Sequence, residues 1–214
     1  EFLDTIENII DDDIPTIYGS HYPMYFLRSQ KSSKGRTIEE ITDSGIIFLS
    51  GHVHPAKNEV IRRTKEKLHA VAAGLLNRNY TGLVFIDNGA INYYDILPSE
   101  EKKLFITYPQ IREQITAKSV FNEQKFSIRV VALEKFDNLY VNIDGKEVGE
   151  MEYKKEINTT QFFYAFDVEV QNGEHELIIR DNNSKNTQKI HFFVGEESPM
   201  TMERQNMVHI PNFY

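Results

Sequence analysis

The sequence predicts two unlike parts: an α/β segment over residues 1–98 and an immunoglobulin-like β-sandwich over 99–195, followed by an irregular tail, 196–214. Two observations carry this. In the first part, apolar runs flank a stretch with helical spacing and a helix cap, the pattern of parallel strands joined through a helix. After Pro98-Ser99-Glu100 the helical period disappears, and about seven short strand-like runs follow with turn residues between them.

Taken in order, "FLDTIENII" (2–10) places Phe2, Leu3, Ile6, Ile9 and Ile10 on one helical face. "IPTIYGS" (14–20) reads as a short buried strand begun by Pro15 and ending at His21-Tyr22-Pro23. The polar "LRSQKSSKGR" (27–36), with Gly, Ser and four basic residues, predicts a mobile loop. In "TIEEITDSG" (37–45), Thr37 and Glu40 form a capping box for a short helix that Gly45 closes. "IIFLS" (46–50) is apolar on both faces, as in a parallel sheet. Residues 14–50 therefore form a βαβ unit. Residues 57–76 admit two readings: a helical stripe of Ile61, Leu68, Val71 and Leu75, or a strand in "KLHAVAAGLL". Residues 82–88 and 91–97, joined by Asn88-Gly89-Ala90, predict a hairpin.

In the second part, strands are expected at 104–109, 127–133, 139–144, 146–153, 161–169, 175–180 and 187–194. Turns fall at Asp144-Gly145, Asn172-Gly173 and Asp181-Asn182-Asn183. Phe162, Phe163, Tyr164 and Phe166 are expected in the core and its neighbour contacts. The part has neither cysteine nor tryptophan, so it is not an antibody-type domain.

The chain carries 24 Lys and Arg against 32 Asp and Glu, a net charge of −8 that disfavours general nucleic-acid binding. With no cysteine, disulfides and thiolate metal sites are excluded. No run approaches the ~18 apolar residues of a membrane span, and no signal peptide is visible; this segment is expected to be soluble. Glycosylation sequons at Asn79, Asn158 and Asn182 compare with about two expected by chance.

The chemistry concentrates in "IIFLSGHVHP" (46–55). Two histidines one residue apart point to one side only where the backbone turns, and Gly51 and Pro55 frame such a turn. Neutral imidazole is a good ligand for Zn, Mn or Fe. His52 and His54 can each serve one of two neighbouring metals, which in hydrolytic sites lie ~3.5–4 Å apart. His21, past the end of the adjacent strand, is placed as a third ligand, since open α/β sheets hold ligands at the C-terminal ends of their strands. His69, His175, His191 and His209 have no such context and read as surface or hydrogen-bonded residues. The basic residues Arg28, Lys31, Lys34 and Arg36, and Lys57, Arg62, Arg63, Lys65 and Lys67, could guide a phosphate, but a solvated face explains them more simply.

"IPTIYGSHYPMY…GIIFLSGHVHP" resembles the C-terminal half of a calcineurin-like metallophosphoesterase. The later segments "LVFIDNGAINYYD", "LFITYPQ", "SIRVVAL", "VNIDGKEVGEM" and "NGEHELIIRDNN" resemble the transmembrane protein 62 group, where an Ig-like domain and then membrane helices follow. The resemblance spans about residues 1–195. It implies two divalent metal ions (Mn, Fe or Zn), with His21 and His52 on one and His54 on the other, and a phosphoester substrate. It also implies membrane attachment of the parent chain.

The family's D-x-H, G-D-x-x-D and G-N-H-[DE] motifs are absent from this sequence, and the general acid is expected upstream of it. Three imidazoles cannot fix two metals. The expectation is a fragment, inactive alone, whose N-terminal half of the phosphoesterase domain is either lost or a separate polypeptide after cleavage in a surface loop. The rival expectation is a non-catalytic binding or scaffold module built on the Ig-like domain.

Overall fold

The computed structural model describes residues 2–10, 16–22, 26, 27, 29–50, 59–63, 68–71, 81–96, 101–115, 121–158 and 160–196. The first part is a mixed four-stranded sheet of β1 (Thr16–Ser20), β2 (Gly45–Ser50), β3 (Glu59–Arg63) and β4 (Leu68–Val71), in the order β1-β2-β4-β3. β1, β2 and β4 run parallel and β3 is antiparallel to β4. Of the ambiguous stretch 57–76, the described residues 59–63 and 68–71 are strands, because β2 offers β4 an edge that sequence periodicity cannot reveal; the rest lies outside the described residues.

Helix α2 (Ile38–Ile41) crosses between β1 and β2 as the capping box predicts. Thr37 Oγ1 accepts from Glu40 N at 3.3 Å, and the Glu40 carboxylate accepts from Thr37 N at 2.7 Å. That backbone hydrogen bond holds the Glu40 carboxyl below its usual range. Helix α1 (Phe2–Ile9) lays Leu3 on Ile38, Ile41 and Phe48, with Ile6 and Ile10 at the margin. Its buried stripe is narrower than expected, leaving Phe2 and Ile9 exposed.

Two expectations fail here. Gly45 does not close α2: Thr42 caps it, and Gly45 opens β2. A Cβ on Gly45 would sit 2.4 Å from the Tyr18 ring, so glycine is needed for that close approach. The polar loop is not free chain either. Residues 31–37 form a tight turn, with Gly35 at φ 80°, fastened to α1 by Ser33 N donating to Asp4 Oδ1 at 2.6 Å and by Arg36 donating to Glu7 at 3.2 Å.

The second part consists of two four-stranded antiparallel sheets closing on one core. One orders β11 (Glu152–Asn158), β12 (Gln161–Glu169), β8 (Lys125–Ala132) and β7 (Leu104–Tyr108). The other orders β10 (Lys146–Glu150), β9 (Leu139–Ile143), β13 (Gly173–Asp181) and β14 (Thr187–Val194). Lettered along the chain as A, B, C, C′, D, E, F, G, these are sheets ABED and C′CFG, the strand order of an immunoglobulin-type sandwich. Ile106, Ile128, Val130 and Tyr164 from the first sheet meet Val141, Leu177, Ile179 and Phe192 from the second.

The expected strand 146–153 is in fact two. It breaks at buried Met151, whose N–H bonds Leu139 O at 2.7 Å, and β11 then joins the opposite sheet. β11 escaped prediction because all seven of its residues are exposed, which leaves no alternation to read.

Two carboxylates tie turns of the C′CFG sheet. Burial opposes ionisation of Asp181, but hydrogen bonds from the Asn186 side chain and from the backbone of Asn186, Lys185 and Asn183 outweigh it and hold its carboxyl below the usual range. Asp144 is lowered likewise: burial is overcome by hydrogen bonds from His175 and from Glu176 N. Groups depressed on folding stabilise above their unfolded values, about pH 4, and lose that stability as pH falls through the lowered folded values. The melting temperature of the chain should therefore fall as the pH drops below about 5. A double Asp144→Asn, Asp181→Asn variant should melt lower at neutral pH and show a shallower acid slope in the same scan.

Between the two parts lies the expected hairpin, of β5 (Thr81–Asp87) and β6 (Ala90–Ile96), turning at Asn88 (φ 50°) and Gly89 (φ 81°) in type I′ geometry, with Ala90 in β6 rather than in the turn. It has two faces. Ile91, Tyr93 and Val84 pack with Ile47 of β2. Phe85 and Tyr94 pack on Phe105 of β7, each with ring centroids 5.4 Å from it. At the tip, Asp87 accepts from Thr107 Oγ1 at 2.7 Å and pairs with Arg129.

Candidate functional site

The parallel pair β1–β2 keeps register to its last residues, where Ser20 faces Ser50. His21 follows Ser20 directly, and Gly51-His52-Val53-His54 follow Ser50. Both histidine-bearing segments therefore leave the sheet from neighbouring positions on one edge, at the C-terminal ends of parallel strands. His52 and His54 themselves lie outside the described residues.

His21 is exposed and meets the Tyr22 ring edge-on, centroids 4.9 Å apart; Tyr22 in turn meets Phe26 at 6.0 Å. Tyr22 N donates to Ser20 Oγ at 3.2 Å, bending the chain just past the strand. Among the described residues no group of three His, Asp or Glu is placed to hold a metal ion. In donor type and access His21 fits a metal ligand. Uncharged imidazoles alone do not fit two divalent ions, whose charge calls for carboxylates as well.

Two of the basic residues suggested as phosphate guides, Lys34 and Arg36, are engaged elsewhere, and Lys31 is placed by its bridge to Thr37. Arg36 lies 3.2 Å and Lys34 4.0 Å from the Glu7 carboxylate on α1, and a second Arg36 nitrogen donates to Glu40 O at 2.5 Å. Arg28, Lys57, Lys65 and Lys67 lie outside the described residues. Arg62 and Arg63 are placed only as β3 positions opposite His69 and Leu68.

Two histidines left without a site have structural work. His175 Nδ1 lies 2.7 Å from Asp144 Oδ2, and Nε2 lies 2.8 Å from the carbonyl of Gln171, four residues upstream. Its ring lies over Phe192 at 5.2 Å. Two residues before buried Leu177, it stands where immunoglobulin domains carry a corner tyrosine that bonds upstream backbone. His191 lies on the outer face between Glu174 (3.7 Å) and Glu176 (3.6 Å). His209 is outside the described residues.

Sequence reasoning missed the polar side chains that seat the hairpin. Asn92, fully buried, donates through Nδ2 to the carbonyls of Ile106 (3.0 Å), Thr107 (3.2 Å) and Pro109 (2.9 Å), and accepts from Ile111 N at 2.8 Å. Gln114 bonds both backbone groups of Tyr93, accepting at 2.7 Å and donating at 2.8 Å. Tyr94 Oη donates to Ile106 O at 2.7 Å. The available signal was Asn92 itself, a polar residue between Ile91 and Tyr93 in an otherwise apolar run.

No protein-family model matches this chain, and no curated protein does. Solved structures similar to part of it include an FMN-binding beta-glucuronidase from Facaelibacterium prausnitzii L2-6, at 18% identity over 47% of this chain, with a TM-score of 0.31. The chain spans 13% of that enzyme's length. Fibronectin(III)-like modules of Clostridium thermocellum CbhA match at 17% identity over 42% of this chain and 94% of theirs, with a TM-score of 0.28. At these TM-scores the likeness bears on neither fold nor function, and the sandwich assignment stands on strand order and core.

Proposed function

We propose that this chain supplies the histidine side of a dinuclear metal site for phosphoester hydrolysis. The remaining ligands and the general acid would come from residues outside these 214. The observation that carries this reading is the Ser20–Ser50 register, which starts His21 and the Gly-His-Val-His segment from adjacent strand ends. In this reading residues 1–98 are the C-terminal part of a calcineurin-like phosphoesterase domain, and the sandwich is the Ig-like domain that follows it in the transmembrane protein 62 group. His21 and His52 would hold one divalent ion (Mn, Fe or Zn) and His54 the other. Such a pair, when bound, activates water for in-line attack on phosphorus. The imidazoles act here as neutral ligands rather than proton carriers, so acid–base work falls to other groups.

The test is hydrolysis by the complete protein of p-nitrophenyl phosphate and bis(p-nitrophenyl) phosphate, with and without Mn²⁺. His52→Ala and His54→Ala should each lower kcat/KM by about a hundredfold or more, about 3 kcal/mol of transition-state stabilisation. Undiminished activity in either variant contradicts the proposal.

One observation favours a second reading, a non-catalytic binding or scaffold module. Among the described residues, nineteen buried side chains form the sandwich core, against a cluster of four around α1, α2 and β2 and one of three where the hairpin meets Ile47. Metal binding by the complete protein without hydrolysis of either ester would decide for that reading.

A further inference from the structure

We propose that Asn158 and Asn182 are N-glycan acceptors that together clad one pole of the sandwich. Each stands in an Asn-x-Thr/Ser sequence, Asn158-Thr159-Thr160 and Asn182-Asn183-Ser184. The strand registers bring them to the same end of the fold. Asn158 pairs with Gln161 at the β11–β12 turn, beside the Phe162–Ala132 end of the sheet. Asn182 follows Asp181, which pairs with Leu139. Residues 133–138 connect Ala132 to Leu139 across that same pole, and Asn182 Nδ2 donates to Asn138 Oδ1 there at 3.0 Å.

Both acceptors are exposed, Asn158 as the last residue of β11 before its turn into β12 and Asn182 in the turn after β13, positions at the end of a β-sandwich where a bulky substituent can point to solvent without displacing core. Their amide geometry also suits substitution. Asn158 Nδ2 donates to Gln161 Oε1 at 3.0 Å, while its Oδ1 accepts from Thr160 N at 2.9 Å and from Thr160 Oγ1 at 3.1 Å. These bonds use one of the two Nδ2 hydrogens. In Asn182 likewise, the bond to Asn138 uses one.

A side-chain amide offers two donors, and glycosylation replaces one and leaves the other, so the bonds to Gln161 and Asn138 survive the modification. The co-reactant is a lipid-linked oligosaccharyl diphosphate. The sugar C1–O bond breaks, the diphosphate leaves with the electron pair, C1 bonds Asn Nδ2, and the displaced amide proton passes to an enzyme base. Two glycans on one pole would keep it facing solvent and leave the opposite pole and the sheet faces for contacts.

The test expresses the chain behind a cleavable secretion leader in mammalian cells, in an Asn79→Gln background, and reads intact mass before and after peptide-N-glycosidase. Two glycans are expected, one lost with each of Thr160→Ala and Ser184→Ala, variants that leave both asparagines in place. Deglycosylated and glycosylated chains should give the same far-ultraviolet circular dichroism spectrum. Secreted, folded chain with neither site occupied overturns the proposal. If the chain is not secreted, the bacterially made, folded chain is offered to purified oligosaccharyltransferase with its lipid-linked donor, where failure to modify either site overturns it equally.

Discussion

Replacing Asn92 by leucine is expected to cost about 3–5 kcal/mol of unfolding free energy, since each buried hydrogen-bonding group left unpaired costs about 1–3 kcal/mol. This one side chain serves the carbonyls of Thr107 and Pro109, the N–H of Ile111, and the Ile106 carbonyl, which it shares with Tyr94 Oη. Leucine fills much the same volume, so the loss reports the hydrogen bonds rather than a cavity. Asn142 is the control. It lies on β9 with Oδ1 buried and without a hydrogen-bond partner, so Asn142→Leu should change stability by less than about 1 kcal/mol. Urea denaturation followed by circular dichroism measures both. Equal costs at the two positions would remove the hairpin network from the account of stability.

Tyr164→Leu is expected to cost about 4 kcal/mol, combining a cavity with two lost hydrogen bonds. Among the described residues Tyr164 is the largest fully buried side chain, in the core cluster drawn from both sheets. Its hydroxyl accepts from Phe136 N at 2.8 Å and donates to Phe136 O at 3.0 Å, closing the connection between β8 and β9. Burial raises the pKa of that hydroxyl, so it stays protonated and able to donate. Tyr164→Phe keeps the ring and should cost about half as much, the share of the two hydrogen bonds. The same denaturation series separates the terms.

Tyr164 was expected in the core and is buried there, whereas Asn92 marks where sequence reading stops. The capping box at Thr37 and Glu40 was legible because both partners lie within one helical turn. The Asn88-Gly89 hairpin was legible because its two positive φ angles restrict residue choice locally. Asn92 finds its partners 14 to 19 residues away, across a chain reversal that no local pattern encodes. β11 exists because β12 presents an edge to its exposed residues, and Met151 redirects the chain from one sheet to the other.

The change of pattern at Pro98 is visible in sequence, yet burial sets the preceding hairpin against both parts, through Ile91 and Tyr93 on one face and Asn92 and Tyr94 on the other. For the candidate site, the adjacency of the two strand ends was legible from the βαβ pattern. A complete ligand set for the proposed site was not legible, because two divalent ions would call for carboxylates and none adjoins His21, His52 or His54.

The central claim, that His21 and the Gly-His-Val-His segment meet at one metal site, is tested most directly by paramagnetic NMR. A histidine-labelled sample of the 214-residue chain, with ring resonances assigned by single substitution, would be titrated with Mn²⁺. Weak binding suffices, because broadening falls off steeply with distance from the ion. The ring signals of His21, His52 and His54 should broaden together at the lowest Mn²⁺ additions, while those of His175 and His191 in the sandwich stay sharp. Broadening of His52 and His54 with His21 unaffected, or uniform broadening of all seven histidines, would contradict a shared site at the ends of β1 and β2.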